Sequence, residues 1–235
     1  MRVVQNSARR CILNLDIVIP LRDRPSLYND LELKYCLRSI DKHLNARDVW
    51  CVGIPRDWLS VNWIQQCDLK GAYDSRHESV RNKILKACNN PFVSDPFILF
   101  NDDFMLLRDI DELHDYYDGT IEHRLRNTAT GYRQRMEATM PYSDGNNYEV
   151  HTPVLIYKEL FKRVTKENML YRNIYCSASP TEKVEIKDPK LYTRKDHDNF
   201  RDFAKQNWMF STSEFSFAVL LKEMARLYPV KSRWE

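Results

Sequence analysis

A chain of 235 residues is long enough for one large domain, or one domain with an appended subdomain, and for a substantial core. With 43% hydrophobic and 29% charged residues it has the make-up of a folded globular protein, which excludes a disordered chain. Its net charge of +3 permits contact with phosphate groups but falls short of the dense basic character of a dedicated nucleic-acid binder, so small anionic ligands fit better.

No apolar run approaches the roughly 20 residues of a membrane span. The opening stretch Met1 to Arg10 lacks the apolar core of a signal peptide, and a cytoplasmic protein is expected. The six cysteines, Cys11, Cys36, Cys51, Cys67, Cys88 and Cys176, form no C-x-x-C pair. They sit mostly inside apolar stretches and read as reduced core thiols rather than a disulfide frame or zinc site. Glycine is scarce, with five residues, and neither a G-x-G-x-x-G fingerprint nor a Walker loop is present. A bound nucleotide has to be held by other means.

The first predicted strand is Asn14 to Pro20, where Ile17, Val18 and Ile19 are strand formers and Pro20 closes the run. It empties into Leu21 to Ser26. There Arg22 and Arg24, flanking Asp23, have the fork geometry to clamp a phosphate, against the plainer reading of a loop of surface charges. Leu33, Cys36, Leu37, Ile40 and Leu44 then recur at helical spacing, predicting a helix over Asp30 to Leu44 that Asn29 or Asp30 can cap. A second strand, Val49 to Ile54, ends at Pro55. Strand, helix and strand at this spacing make a βαβ unit with parallel strands.

Ser75 stands three residues before Glu78, the arrangement of a capping box, and opens a helix whose apolar face carries Val80, Ile84 and Cys88. Arg76, Arg81 and Asn82 lie in its first turns, where an anion also meets the favourable end of the helix dipole. The stretch on which the chain turns is Phe97 to Leu107. Phe97, Ile98, Leu99 and Phe100 suit a buried strand, and two adjacent acids, Asp102 and Asp103, follow. Removing both charges from water is costly, so they are expected at the strand's carboxyl end, paired with cations or facing a metal ion. In open α/β sheets ligands bind at that end. The plainer reading is a solvated loop with two Asp.

The second half is less regular. Tyr116 to Pro141 is polar with basic Arg124, Arg126, Arg133 and Arg135, and reads as an acceptor-binding segment or a solvated connector, with Thr128 to Arg133 alternating as a strand. A helix is expected over Tyr157 to Val164, and Tyr171 to Asp188 reads as loop or short strands. Asp196, His197 and Asp198 place an imidazole between two acids. Ser211-Thr-Ser-Glu214 is a second capping-box pattern, opening a helix with Phe217, Leu221, Met224 and Tyr228 on one face.

The succession of an Ile-Pro strand end, an Arg-rich loop, a helix, a second strand, a helix with Arg81 and Asn82, and a strand into Asn101-Asp102-Asp103 resembles the nucleotide-sugar domain of GT-A glycosyltransferases. More narrowly, Asp30-Leu-Glu-Leu-Lys-Tyr-Cys-Leu-Arg-Ser-Ile-Asp-Lys-His43 and Phe97-Ile-Leu-Phe-Asn-Asp-Asp103 resemble two conserved blocks of the Stealth family of capsule and sugar-phosphate transferases. Tyr148-Glu-Val-His-Thr-Pro153 resembles that family's His-Pro segment. Stealth proteins usually open with a strand running into Thr-Trp-Val-Asp-Gly, whereas this chain has Ile17-Val-Ile-Pro-Leu-Arg-Asp23, implying a different donor clamp. A final Asn-Asp block is lacking, with Ser211-Thr-Ser-Glu214 the nearest substitute.

The resemblance implies an α/β GT-A fold, a Rossmann-like and mostly parallel sheet flanked by helices. Residues 1–110 would form the nucleotide-sugar half and residues 111–235 a less regular α+β acceptor region. It implies Mn²⁺ or Mg²⁺ at Asp102 and Asp103, with His151 and His197 as rival further ligands. The donor-binding set would be Pro20, Arg22, Asp23, Arg24, Arg76, Arg81, Asn82, Asn101 and Asp102, and Asp196, Asp198 and Glu214 are unranked candidates for the base that activates an acceptor hydroxyl. Three functions follow: a metal-dependent glycosyltransferase, a sugar-1-phosphate transferase releasing a nucleoside monophosphate, and a non-catalytic sugar- or nucleotide-binding module. The acceptor is a glycan or other hydroxyl compound; a modified nucleic acid is the lesser alternative at this net charge.

Overall fold

Short, mostly apolar runs form the principal strands of the first half, and amphipathic segments form the helices between them. The computed structural model describes residues 14–70, 75–126 and 128–235, so Met1 to Arg10 and Cys11 lie outside the described residues. In chain order the first elements are β1 (Ile17–Pro20), α1 (Leu31–His43), β2 (Val49–Gly53), β3 (Asn62–Gln65), α2 (Ser75–Cys88), β4 (Phe97–Leu99), β5 (Phe104–Leu106) and β6 (Asp115–Tyr117). There follow α3 (Ile121–Leu125), α4 (Thr130–Thr139), β7 (Val154–Ile156), α5 (Lys158–Val164), α6 (Tyr171–Ala178), β8 (Lys183–Glu185), β9 (Lys190–Leu191), α7 (Arg194–Asp198), α8 (Phe200–Gln206), β10 (Met209–Thr212) and α9 (Glu214–Leu227).

The central sheet has the order β3-β2-β1-β4-β7. Its first four strands are parallel and β7 runs antiparallel to β4. The fold is therefore a mixed α/β one around a mainly parallel sheet. Strand alternation sends Ile17 and Ile19 to one face, against Leu33, Cys36, Leu37 and Ile40 of α1. Val18, Val52, Phe97 and Leu99 pack on the other face against Ile84, Phe161 and Tyr175. A smaller sheet, β5-β10-β9, sits beside this one and is covered by Phe217, Leu220 and Met224 of α9.

Several expectations need correction. Asp30 does not cap α1: its φ is 58°, and its carboxylate instead accepts from Arg56 Nε and the Ser26 N–H, at 2.8 Å each. Glu78 accepts from the Asn168 N–H at 2.8 Å, while the Ser75 side chain of the expected capping box lies outside the described residues. Thr128 to Arg133 is no strand, because Thr130–Thr139 is helical, and Tyr171–Ala178 forms a helix where loop or strands were read. Ser211 belongs to β10; the cap of α9 is Ser213, whose hydroxyl accepts from the Ser216 N–H. Cys36, Cys51, Cys88 and Cys176 are buried as expected, but Cys67 is exposed.

Candidate active-site cleft

Asn101, Asp102 and Asp103 form the turn between β4 of the central sheet and β5 of the smaller one. The apolar run is thus two strands in two sheets, and the acids stand where the chain passes between them. Asp103 is anchored from the C-terminal half. Its Oδ2 accepts from Ser211 Oγ at 2.7 Å and lies 3.4 Å from Lys190 Nζ, while its carbonyl accepts from the Thr212 N–H. Asp102 is half-buried, and its carboxyl is pushed up to about 7, first by loss of solvent and then by the charge of Asp103, with Arg22 opposing. Sharing a site, two adjacent carboxylates resist joint ionisation unless a cation joins them.

The loop after β1 brings the charge of Arg22 within electrostatic reach of Asp102. Arg56 holds it by donating to the carbonyls of Arg22 (2.8 Å) and Asp23 (3.2 Å). Asp23 and Asp68 exchange hydrogen bonds with each other's backbone N–H, at 2.8 and 3.0 Å. Buried Lys83 donates to the Leu21 carbonyl and to Asp68. Arg22 reaches Glu214 at 3.5 Å, so a predicted donor residue and a predicted base stand together at the mouth of the site. Pro20 ends β1 opposite Val52, and Arg24 is exposed.

Beside Asn101 opens a cleft of about 1180 Å³ lined by residues of α2, α3, α4 and the approach to β7. Arg76 lines it, but Arg81 turns towards α5, contacting the Thr165 carbonyl and Glu78, with Asn82 against it. His151 lines it too, and its Nδ1 lies 2.9 Å from Asp188 Oδ2. Burial raises the Asp188 pKa, but the hydrogen bond and charge of His151 outweigh it and hold the carboxylate low. Asp188 also receives the Lys190 N–H at 3.3 Å and gives its own N–H to Asp118, a cleft residue. Residues 188 and 190 thereby tie the His151 dyad to Asp103.

The other candidates lie elsewhere. His197 is buried against the Phe215 ring, with neither ring nitrogen hydrogen-bonded among the described residues. Asp196 caps its own turn, accepting from the Tyr192 and Thr193 N–H groups; those backbone bonds hold its pKa low. Asp198 is exposed. Among the described residues neither His151 nor His197 shares with Asp102 and Asp103 the compactness of Glu112, His114 and Glu182, whose donor atoms lie within 4.8 Å of one another. That trio sits at the starts of β6 and β8, away from Asp118. It is the kind of grouping that sequence order hides, since β6 and β8 pair across 68 residues of chain.

Sequence reading also passed over Lys83, Arg56, Lys190 and Asp188. Lys83 and Lys190 carried a faint signal, a lysine on or beside an apolar face, but their partners are set by tertiary packing.

No protein-family model matches the chain, and no curated protein matches it. Among solved structures, the chain is similar to the glycosyltransferase GlyE of Streptococcus pneumoniae TIGR4, at 11% identity over 94% of this chain and 66% of that one, with a TM-score of 0.39. The apo form of GlyE gives 11% identity over 92% of this chain and 62% of that one, with a TM-score of 0.40. The chain thus spans less than two thirds of the length of either. A likeness of this depth leaves the assignment of function to the site itself.

Proposed function

We propose that this chain transfers a glycosyl group from a nucleotide-sugar donor to a hydroxyl acceptor, on a GT-A type fold, with Mn²⁺ or Mg²⁺ held by Asp102 and Asp103. The observation that carries this reading is the carboxylate pair at the carboxyl end of β4, with Asp102 pushed up to about 7 beside Asp103, next to a large cleft. That raised pKa reflects loss of solvent first and the neighbouring Asp103 charge second, and an all-oxygen donor set suits a hard divalent cation. When bound there, such an ion supplies Lewis-acid neutralisation of the leaving diphosphate.

The chain's own residues divide the remaining work. Arg22, whose backbone carbonyl is held by Arg56, adds positive charge in the neighbourhood of Asp102. Asp188, kept ionised, receives the His151 Nδ1–H and leaves Nε2 as the ring's basic nitrogen, suited to take the proton of an acceptor hydroxyl in the cleft. Lys190 fixes the distance between the two groups.

The test is incubation with Mn²⁺ and a panel of nucleotide sugars, reading the released nucleotide by chromatography against Asp103→Ala. A nucleoside diphosphate, lost in the variant, is expected. A nucleoside monophosphate would replace this reading with phosphosugar transfer, and metal-dependent donor binding with no turnover across an acceptor panel would replace it with a binding module.

A further inference from the structure

The cleft has a charge character that the donor chemistry leaves unused. Three arginines (Arg76, Arg124, Arg135) line it against one lining carboxylate, Asp118, and three histidines add polar ring nitrogens. A volume of about 1180 Å³ exceeds the usual range of small-molecule pockets, roughly 300–1,000 Å³, so there is room for more than one hexose. In its lining His77 packs at a tilt of 42° against Tyr171, ring centroids 4.7 Å apart, and both His77 ring nitrogens are buried with no hydrogen-bond partner among the described residues. Buried polar atoms are nearly always paired, so two unpaired ring nitrogens on a residue lining a cleft call for a partner. Burial lowers the His77 pKa; Glu149, accepting from Tyr132 at 3.2 Å behind the wall, opposes that and Arg135 adds to it.

The wall is built from elements other than the loop after β1. Arg22 and Asp23 follow β1, on one side of β4, whereas His151 precedes β7 on the other side. The arginines come from α2, α3 and α4, none from the loop after β1.

We infer that the wall built by Arg76, His77, Arg124 and Arg135 receives an anionic group, a carboxylate or a phosphate ester, carried by the acceptor. Calling the ligand an acceptor rests on the glycosyl-transfer reading; the anion site rests on the wall alone. Guanidinium forks match both groups in pairs of charge-assisted hydrogen bonds, stronger than the bonds that the hydroxyls of a neutral sugar accept.

The test is calorimetric titration of glucose 6-phosphate, glucuronate and glucose into the protein, Arg124→Gln and Arg76→Gln. Arg126→Gln serves as a control of equal charge change on an exposed residue paired with Glu122. Either anionic sugar should bind at least about tenfold more tightly than glucose, and Arg124→Gln or Arg76→Gln should weaken it about tenfold while Arg126→Gln does not. Equal binding of glucose, no binding of any of the three, or an equal effect of Arg126→Gln would overturn the inference. A parallel titration of nucleoside diphosphates with Mn²⁺ separates the sources. An equal loss of diphosphate binding in Arg124→Gln and Arg76→Gln would return these arginines to the donor and sink the acceptor assignment. Anionic-sugar binding without any nucleotide binding would keep the anion site and remove the glycosyl-transfer reading instead.

Discussion

Lys190 reaches Asp103 with its side chain, Nζ to Oδ2 at 3.4 Å, while its backbone N–H donates to Asp188 at 3.3 Å. One residue thus joins the acidic turn after β4 to the carboxylate that orients His151. The ammonium already neutralises part of the charge at Asp103, so a divalent cation there shares the oxygen with a cation fixed to the protein. Removing the lysine as Lys190→Met should therefore tighten Mn²⁺ binding, by about 3- to 30-fold given the half-buried setting and screening of the pair. Asp103→Asn should abolish it. Titration of Mn²⁺ followed by its paramagnetic resonance reads both, and unchanged Mn²⁺ affinity in both variants would remove this turn as the metal site.

The His151–Asp188 pair makes a second prediction, in the kinetics. If His151 accepts the hydroxyl proton, His151→Gln should lower kcat by about 10²- to 10⁴-fold. Asp188→Asn keeps the ring but loses its orienting carboxylate, and should cost about 10- to 100-fold. Donor affinity should stay within about twofold in both, because neither side chain belongs to the loop after β1. A drop in donor affinity that matches the drop in turnover would instead make His151 a binding group.

What the sequence discloses here is set by the range of the interactions. The strands β1, β2 and β4 and the helices α1 and α2 are written in local patterns, because each buries an apolar stripe whose period shows in a dozen residues. The short β5 and β10 are not. Three residues of Phe104–Leu106 carry no period, and Ser211, hydrophilic and three before a glutamate, imitates a helix cap until its partner Asp103 is known. The same holds for the site. Asp102 and Asp103 declare themselves because two acids at the end of an apolar strand demand an explanation, whereas Lys190, Asp188 and Lys83 acquire meaning from residues 87, 37 and 15 positions away.

Lys83 carries a pH prediction. Its ammonium is buried against Leu21 and Asp68. Burial raises the Asp68 pKa, but the Lys83 hydrogen bond and charge outweigh it, with the backbone N–H of Asp23 helping, and the net shift is downward. A carboxylate lowered in the folded state adds stability that is fully present above its ordinary pKa of roughly 4 and is lost as pH falls through the lower folded value. Stability measured by urea denaturation should thus fall off below about pH 4 in the natural protein. In Lys83→Met it should already be lower at pH 7, by about 2 kcal/mol once the part-exposure of Asp68 is allowed for, and should lose less on acidification. Parallel acid profiles for the two proteins would show that the pair contributes nothing.

Gly53 closes β2 beside the chain leaving its parallel neighbour β1. A Cβ placed on Gly53 would stand 2.8 Å from the Leu21 carbonyl oxygen, closer than real Cβ contacts come, and the obstacle is backbone rather than a side chain that can swing away. The same Leu21 gives its N–H to Val52 at 2.9 Å and its carbonyl to Lys83. Gly53→Ala must therefore push the β1 loop outward, carrying Arg22 and Asp23 away from Asp102. Overpacking of this kind costs about 1–3 kcal/mol. The expected result is a lower midpoint of thermal unfolding together with weakened donor binding, from a substitution that touches no ligand. Loss of stability with donor affinity intact would show that the loop relaxes independently of the site; an unchanged midpoint would show that the packing of Leu21 on Gly53 is looser than this contact requires.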